Sequence, residues 1–139
     1  MRIFLWILVA AVIGIQLIPV DRGRSGPPAG AVAPPAAQAV LERSCMNCHS
    51  YGTKWPWYSR VAPVSWMVAS DVRRGREKMN LSDWSDVEPK QRAHLIHEVA
   101  EETSEGHMPP KIYLAFHRDA RLTEEDSKAL AAWGRLEEH

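Results

Sequence analysis

The stretch Cys45-Met46-Asn47-Cys48-His49 holds both cysteines of the 139-residue chain and closes on a histidine. Two thiols three positions apart occupy neighbouring positions of one helical turn. Both can then reach the two vinyl groups on one edge of a porphyrin. The following imidazole falls beneath the macrocycle, where it can bind the iron. The C-x-x-C-H spacing therefore predicts covalent c-type haem attachment through Cys45 and Cys48, with His49 as the proximal ligand.

Two other chemistries use a Cys-x-x-Cys pair. A zinc site would need a second half, and His94 with His97 offers only two intervening residues, short of the usual H-x3–5-H spacing. A redox dithiol expects strands alternating with helices around the pair, and the sequence shows no strand alternation.

Composition narrows the partners. Lys and Arg total 17, as do Asp and Glu, so charge makes no case for nucleic acid. With both cysteines in the motif, haem attachment leaves no disulfide to staple the domain. The haem itself must then supply much of the core, which suits a domain of this size.

Ile3 to Val20 is an apolar run of 18 residues broken only by Gln16. As a continuous helix it would reach roughly 27 Å, close to a hydrocarbon core of about 30 Å. A cleaved signal peptide would carry small-x-small triplets near the run, but Ala29-Gly30-Ala31 lies well beyond it. The expectation is a single transmembrane signal-anchor over residues 1–20, placing the protein in the inner membrane with its haem domain on the extracytoplasmic side. Residues 21–35 read as a Pro/Gly-rich linker, reaching between about 20 and about 45 Å. Residues 36–139 form the haem domain.

Within that domain the pattern is all-α, with about four helices. One begins near Pro35 and runs into the motif. Pro63 opens a second, reaching about Met79, with Val64, Met67, Val68 and Val72 on its apolar face and Arg73, Arg74, Arg76 and Lys78 at its end. Pro89 starts a third, with Leu95 and Ile96 in its stripe and His94 and His97 as partly exposed side chains. Thr123-x-x-Asp126 reads as a capping box before a last helix bearing Leu130 and Trp133. The aromatic stretch from Tyr51 to Arg60 is expected to loop beside the haem and wall its pocket, with Pro56 or Pro63 offering a carbonyl to His49. Lys111 to Leu122 reads as a further loop.

The second axial ligand must come from elsewhere, and the candidates are methionines and histidines. Met46 lies inside the motif and cannot reach the far face. Met67 falls in a core pattern. Met108 sits after a helix-ending Gly106 and before Pro109 and Pro110, which stiffen the loop and lower the entropy lost on ordering it. Met108 is therefore the expected distal ligand, with His107 as its rival.

Taken together, Cys45-x-x-Cys48-His49-Ser50, the run Trp55-Pro56-Trp57-Tyr58-Ser59-Arg60-Val61-Ala62-Pro63-Val64-Ser65-Trp66, Asp71-Val72-x-x-Gly75-Arg76, Met108-Pro109-Pro110 and Leu130-Ala131-Ala132-Trp133 resemble the haem-binding domain family of bacterial membrane-anchored, cytochrome c-like proteins. The resemblance spans roughly residues 36 to 134. It implies one covalent haem c in an all-α, cytochrome c-like fold. The reading that follows is a monohaem cytochrome passing single electrons to partner proteins that the sequence does not name. A haem enzyme or sensor with a displaceable distal ligand is the alternative, since the chain holds several histidines but no evident acid–base constellation.

Overall fold

The computed structural model describes residues 1–137, and these fold as seven α-helices with no strand among them. Helix α1 covers Arg2–Gln16, α2 Pro35–Ser44, α3 Met46–His49, α4 Val64–Lys78, α5 Pro89–Ser104, α6 Lys111–Phe116 and α7 Glu124–Glu137. Short 3-10 turns at Trp57–Arg60, Leu81–Asp86 and Arg118–Ala120 complete the path.

The starts of these helices follow local rules. Pro35 and Pro89 each occupy a first turn, where the missing N–H costs nothing. Thr123 and Asp126 cap α7 reciprocally: the Thr123 N–H donates to Asp126 Oδ2 at 2.8 Å, and the Asp126 N–H to Thr123 Oγ1 at 3.2 Å. Gly106, with φ of +72°, carries the chain out of α5 in the left-handed conformation that glycine adopts without strain.

Helices α2, α5 and α7 enclose the core. Ala37, Val40 and Leu41 from α2 meet Leu95 and Ile96 from α5 and Leu130 and Trp133 from α7. Leu81 and Trp84 close the layer, and the Trp84 and Trp133 rings lie 5.9 Å apart. Arg43 and Asp126 join α2 to α7 across the surface. This platform holds the cysteine motif, because Met46 of α3 is buried in the core.

The N-terminus departs from expectation. Helix α1 has 15 residues, about 22 Å of rise, and no helix among the described residues is long and apolar enough to cross a membrane. The expected transmembrane helix, and with it the single-pass inner-membrane placement, is therefore corrected. The reason lies at the end of the apolar run. Pro19 disfavours helical geometry at Ile18, and the helix stops at Gln16. The Gln16 side chain turns to the domain, donating to the Ala62 carbonyl at 3.2 Å and accepting from the Ala62 N–H at 3.0 Å.

Residues 21–35 lie against the domain along much of their length. Gly26 N–H donates to the Tyr51 carbonyl at 3.0 Å, Arg22 donates to the Ser59 carbonyl at 3.1 Å, and Ala29, Val32 and Ala33 pack on the core. Two further differences concern side chains and loops. Met67, expected in the core, is exposed. The segment after Pro110, expected as a loop, winds into α6 over Lys111–Phe116.

Candidate haem site

The cysteine motif is a single helical turn set off from α2 by a kink. Cys45 adopts φ −120° and ψ −43°, which breaks α2 after Ser44. The N–H groups of Cys48 and His49 then both donate to the Cys45 carbonyl, at 3.1 and 3.0 Å. The two thiols and the imidazole thus issue from one turn. The two intervening residues fix that turn in place. Met46 is buried in the core, while Asn47 accepts the Lys54 N–H at 2.8 Å and donates to the Tyr113 hydroxyl at 3.2 Å.

Both cysteines are free thiols. Burial pushes Cys45 up to about 12, with the neighbouring Cys48 adding to the rise and Arg43 opposing it. Burial likewise pushes Cys48 up to about 11, helped by Asp71 and opposed by Arg76. At neutral pH both remain protonated and unpaired.

His49 has its tautomer fixed. Its Nδ1 lies 3.0 Å from the Met79 carbonyl, which can only accept, so Nδ1 carries the proton and Nε2 is left with its lone pair. Burial lowers its pKa, against the opposing pull of the Met79 and Gly75 carbonyls. The ring is thus a neutral imidazole presenting one nitrogen, the state in which histidine binds iron. The acceptor was expected at Pro56 or Pro63. It comes instead from the end of α4, because that helix runs directly past the motif. Gly75 permits the approach, since a Cβ there would stand 3.1 Å from the Cys48 carbonyl oxygen.

The aromatic stretch meets α6 beside the motif. Tyr58 and Phe116 have ring centroids 5.2 Å apart, and Tyr113 stacks on His117 at 4.1 Å. Burial raises the pKa of both Tyr58 and Tyr113. Trp55 is covered instead by the Arg22 guanidinium, 4.9 Å from its ring centroid.

Met108 lies in the short connection between α5 and α6, with its N–H donating to the Glu102 carbonyl at 3.1 Å and its side chain exposed. It is five residues before Tyr113, whose hydroxyl bonds the motif. His107 points to two carboxylates, with Nδ1 3.2 Å from Glu105 and 3.5 Å from Glu102. His94 and His97 are exposed on α5, and no group of three His, Cys, Asp or Glu suited to a metal ion occurs among the described residues.

Arg76, one of four cations at the end of α4 in the sequence, is a junction. Its Nε donates to the Ser50 carbonyl at 2.9 Å, and its two terminal nitrogens reach the Arg24 carbonyl at 2.8 Å and Thr53 Oγ1 at 2.9 Å. Its sequence signal was its place in Asp71-Val72-x-x-Gly75-Arg76, without the carbonyls that converge on it.

The donor set fits haem: two protonated thiols on one turn, a neutral imidazole with its free nitrogen selected, and a glycine where the neighbouring helix touches the motif. A family model described as a haem-binding domain matches residues 10–135. The match covers most of the chain, which belongs to that family. No curated protein and no solved structure matches the chain.

Proposed function

We propose that this haem-binding domain works as a monohaem c-type cytochrome, with Cys45 and Cys48 holding one haem through thioether bonds, His49 as the proximal ligand and Met108 as the distal one. The observation that carries the reading is the bond between His49 Nδ1 and the Met79 carbonyl, which leaves Nε2 bare beside two free thiols. A bound haem would supply a one-electron iron couple.

The residues of the chain serve that role by holding still. Met46 anchors the motif in the core, and Asn47 ties it to both the aromatic stretch and α6. Gly75 and Met79 press the end of α4 against it. A ligand framework fixed on several sides changes little when the charge at its centre changes, which is what single-electron exchange requires. Tyr113 bonds Asn47 of the motif and Tyr58 packs on Phe116 of the same helix, so these rings supply bulk that limits water at that edge of the motif.

An absorption spectrum of the purified holoprotein, oxidised and reduced, tests the reading together with a redox titration. A c-type spectrum that survives acidified organic extraction and cycles reversibly supports it. Haem that extracts freely, or iron that does not cycle within the range of respiratory carriers, defeats it. The exposure of Met108 favours one alternative, a haem sensor or enzyme whose distal ligand leaves. Carbon monoxide binding to the reduced protein without a slow displacement phase would select that alternative.

A further inference from the structure

The end of α4 holds two consecutive residues at the exit of the cysteine motif. Met79 takes the His49 ring through its carbonyl, and Arg76, three residues earlier, donates from Nε to the Ser50 carbonyl at 2.9 Å. Ser50 is buried, and its hydroxyl donates back to the Met46 carbonyl at 2.7 Å. The residue that follows His49 is therefore held at its main chain and at its side chain. The other donor to its carbonyl is the Thr53 hydroxyl, at a longer 3.4 Å.

Arg76 is half-buried and directs its donors to main-chain carbonyls and a hydroxyl rather than to a carboxylate. Its Nη1 reaches the Arg24 carbonyl at 2.8 Å and the Arg22 carbonyl at 3.3 Å, and its Nη2 reaches Thr53 Oγ1 at 2.9 Å. The two carbonyls belong to the segment that precedes α2. They meet at one nitrogen because Gly23, between them, turns the chain with φ of +63°, and Asp21 accepts the Gly23 N–H at 2.8 Å. A planar guanidinium can serve all these directions at once, which an ammonium cannot. Arg73, on the same helix, makes only a long 3.9 Å contact with Glu77, and both of those side chains are largely exposed.

The same segment presses on the residues after Ser50. The Arg24 guanidinium lies 4.7 Å from the Tyr51 ring centroid, and the Gly26 N–H donates to the Tyr51 carbonyl at 3.0 Å. A Cβ at Gly52 would stand 2.7 Å from the Pro28 Cα, so the two stretches of backbone are in direct contact.

We propose that Arg76 is a positioning residue for His49, and that residues 22–24 complete its site. The segment before α2, docked on Arg76, holds the main chain at Ser50 and thereby the ring that Met79 orients. Loss of either the guanidinium or the docked segment loosens the ring. That the oriented ring binds iron rests on the cytochrome reading; that Arg76 and the segment orient it does not.

The test is NMR of the full-length, isotopically labelled holoprotein, read at the His49 ring. In the reduced protein the His49 Nδ1–H should exchange slowly with water, and so should the Arg76 Nε–H, whose acceptor belongs to a buried residue. Arg76→Gln should quicken the Nδ1–H exchange about tenfold, the effect of losing a hydrogen bond made by a charged group. Arg76→Lys keeps the charge and should not restore slow exchange. Gly23→Ala should quicken it several-fold. The added Cβ would meet Arg76 at an ordinary 3.6 Å, so this variant acts by straining the backbone of the docked segment. In the oxidised protein the same three variants should alter the spread of the haem-methyl resonances, which follows the orientation of the axial ligands. Arg73→Gln, the same charge change on the same helix, should alter neither.

Wild-type exchange in Arg76→Lys, or an effect of Arg73→Gln as large as that of Arg76→Gln, would reduce Arg76 to a charge and overturn the proposal. So would exchange that quickens equally at the amides of α7, which would mark a general loss of stability. An Arg76 Nε–H in rapid exchange in the wild-type protein would overturn it without any variant. Slow Nδ1–H exchange in Gly23→Ala would overturn the part assigned to residues 22–24. If His49 Nε2 shows no bond to iron while the Nδ1–H still responds to the Arg76 variants, the positioning stands and the ligand reading falls.

Discussion

His49 Nδ1 lies 3.0 Å from the carbonyl oxygen of Met79, thirty residues downstream, and the bond spans from the cysteine motif to the end of α4. It depends on how closely that helix approaches. The Met79 N–H bonds the Gly75 carbonyl at 2.9 Å, so the two residues sit on consecutive turns of one helix end. Gly75 is where the helix touches Cys48, and Met79 is where it holds the imidazole.

Gly75→Ala should therefore disturb both contacts. The added Cβ meets backbone at 3.1 Å, and backbone cannot swing aside as a flexible side chain would. The expected cost is about 1–3 kcal/mol, the range for overpacking a tight site. Thermal unfolding should show the loss, and haem staining of denatured protein should show reduced attachment. Unchanged values in both would mean that α4 moves freely against the motif. Gly134→Ala is the control, since a Cβ there meets only Ile96 at an ordinary 3.9 Å.

Gln16→Ala should release the N-terminal helix from the domain. The Gln16 amide makes a reciprocal pair with the Ala62 backbone, and none of the α1 residues is buried. Two hydrogen bonds, partly exposed, contribute about 1–2 kcal/mol together. Amide exchange should quicken at Ala62, whose N–H loses its acceptor, while amides in α7 stay protected. Equal exchange at Ala62 in both proteins would show that the pair does not persist in solution.

Much of this arrangement was legible in the sequence where one rule governed one segment. The starts of α2 and α5 at Pro35 and Pro89, the capping box at Thr123 and the core positions Leu95, Ile96, Leu130 and Trp133 all follow from local chemistry. What escaped was set by tertiary contact. The acceptor for His49 is a main-chain carbonyl, which has no sequence signature. Arg76 looks like any helix-end cation until the Ser50 and Arg24 carbonyls converge on it. Hydropathy summed over Ile3 to Val20 concealed that Gln16 has a partner and that Pro19 ends the helix.

Arg43→Ala should weaken the join between α2 and α7 in a pH-dependent way. Burial pulls the Asp126 pKa upward, but the Thr123 N–H, the Thr123 hydroxyl and the Arg43 guanidinium outweigh it and hold the carboxyl below its usual value. A depressed carboxylate stabilises the fold above its unfolded pKa, and that contribution is lost as pH falls through the folded one. The Arg43 variant should thus be less stable than wild type at pH 7 by about 0.5–1 kcal/mol, the range for an ion pair at the surface. The difference should shrink as the pH falls below the unfolded carboxylate range. Denaturant unfolding at pH 7 and in acid measures both. A gap that widens in acid would contradict the sign.

Met108→Ala and His107→Ala should separate the two distal-ligand candidates. His107 Nδ1 is close to Glu102 and Glu105, so moving the imidazole to iron would break those contacts and carry a charged cluster towards an apolar site. Met108 carries no such penalty, and its thioether is exposed in a segment closed on both sides: the Glu102 carbonyl takes its N–H, and α6 begins three residues later. Tyr113 then anchors that helix to Asn47 inside the motif. A thioether ligand gives a weak sulfur-to-iron band in the oxidised spectrum and a higher potential than two imidazoles. Met108→Ala should abolish the band and lower the potential. His107→Ala should keep the band, with at most a small change in potential from the freed Glu102 and Glu105 carboxylates. Absence of the band in the wild-type protein, with the iron's ligation changed by His107→Ala and not by Met108→Ala, would move the ligand to the imidazole and with it the direction from which the chain crosses the haem.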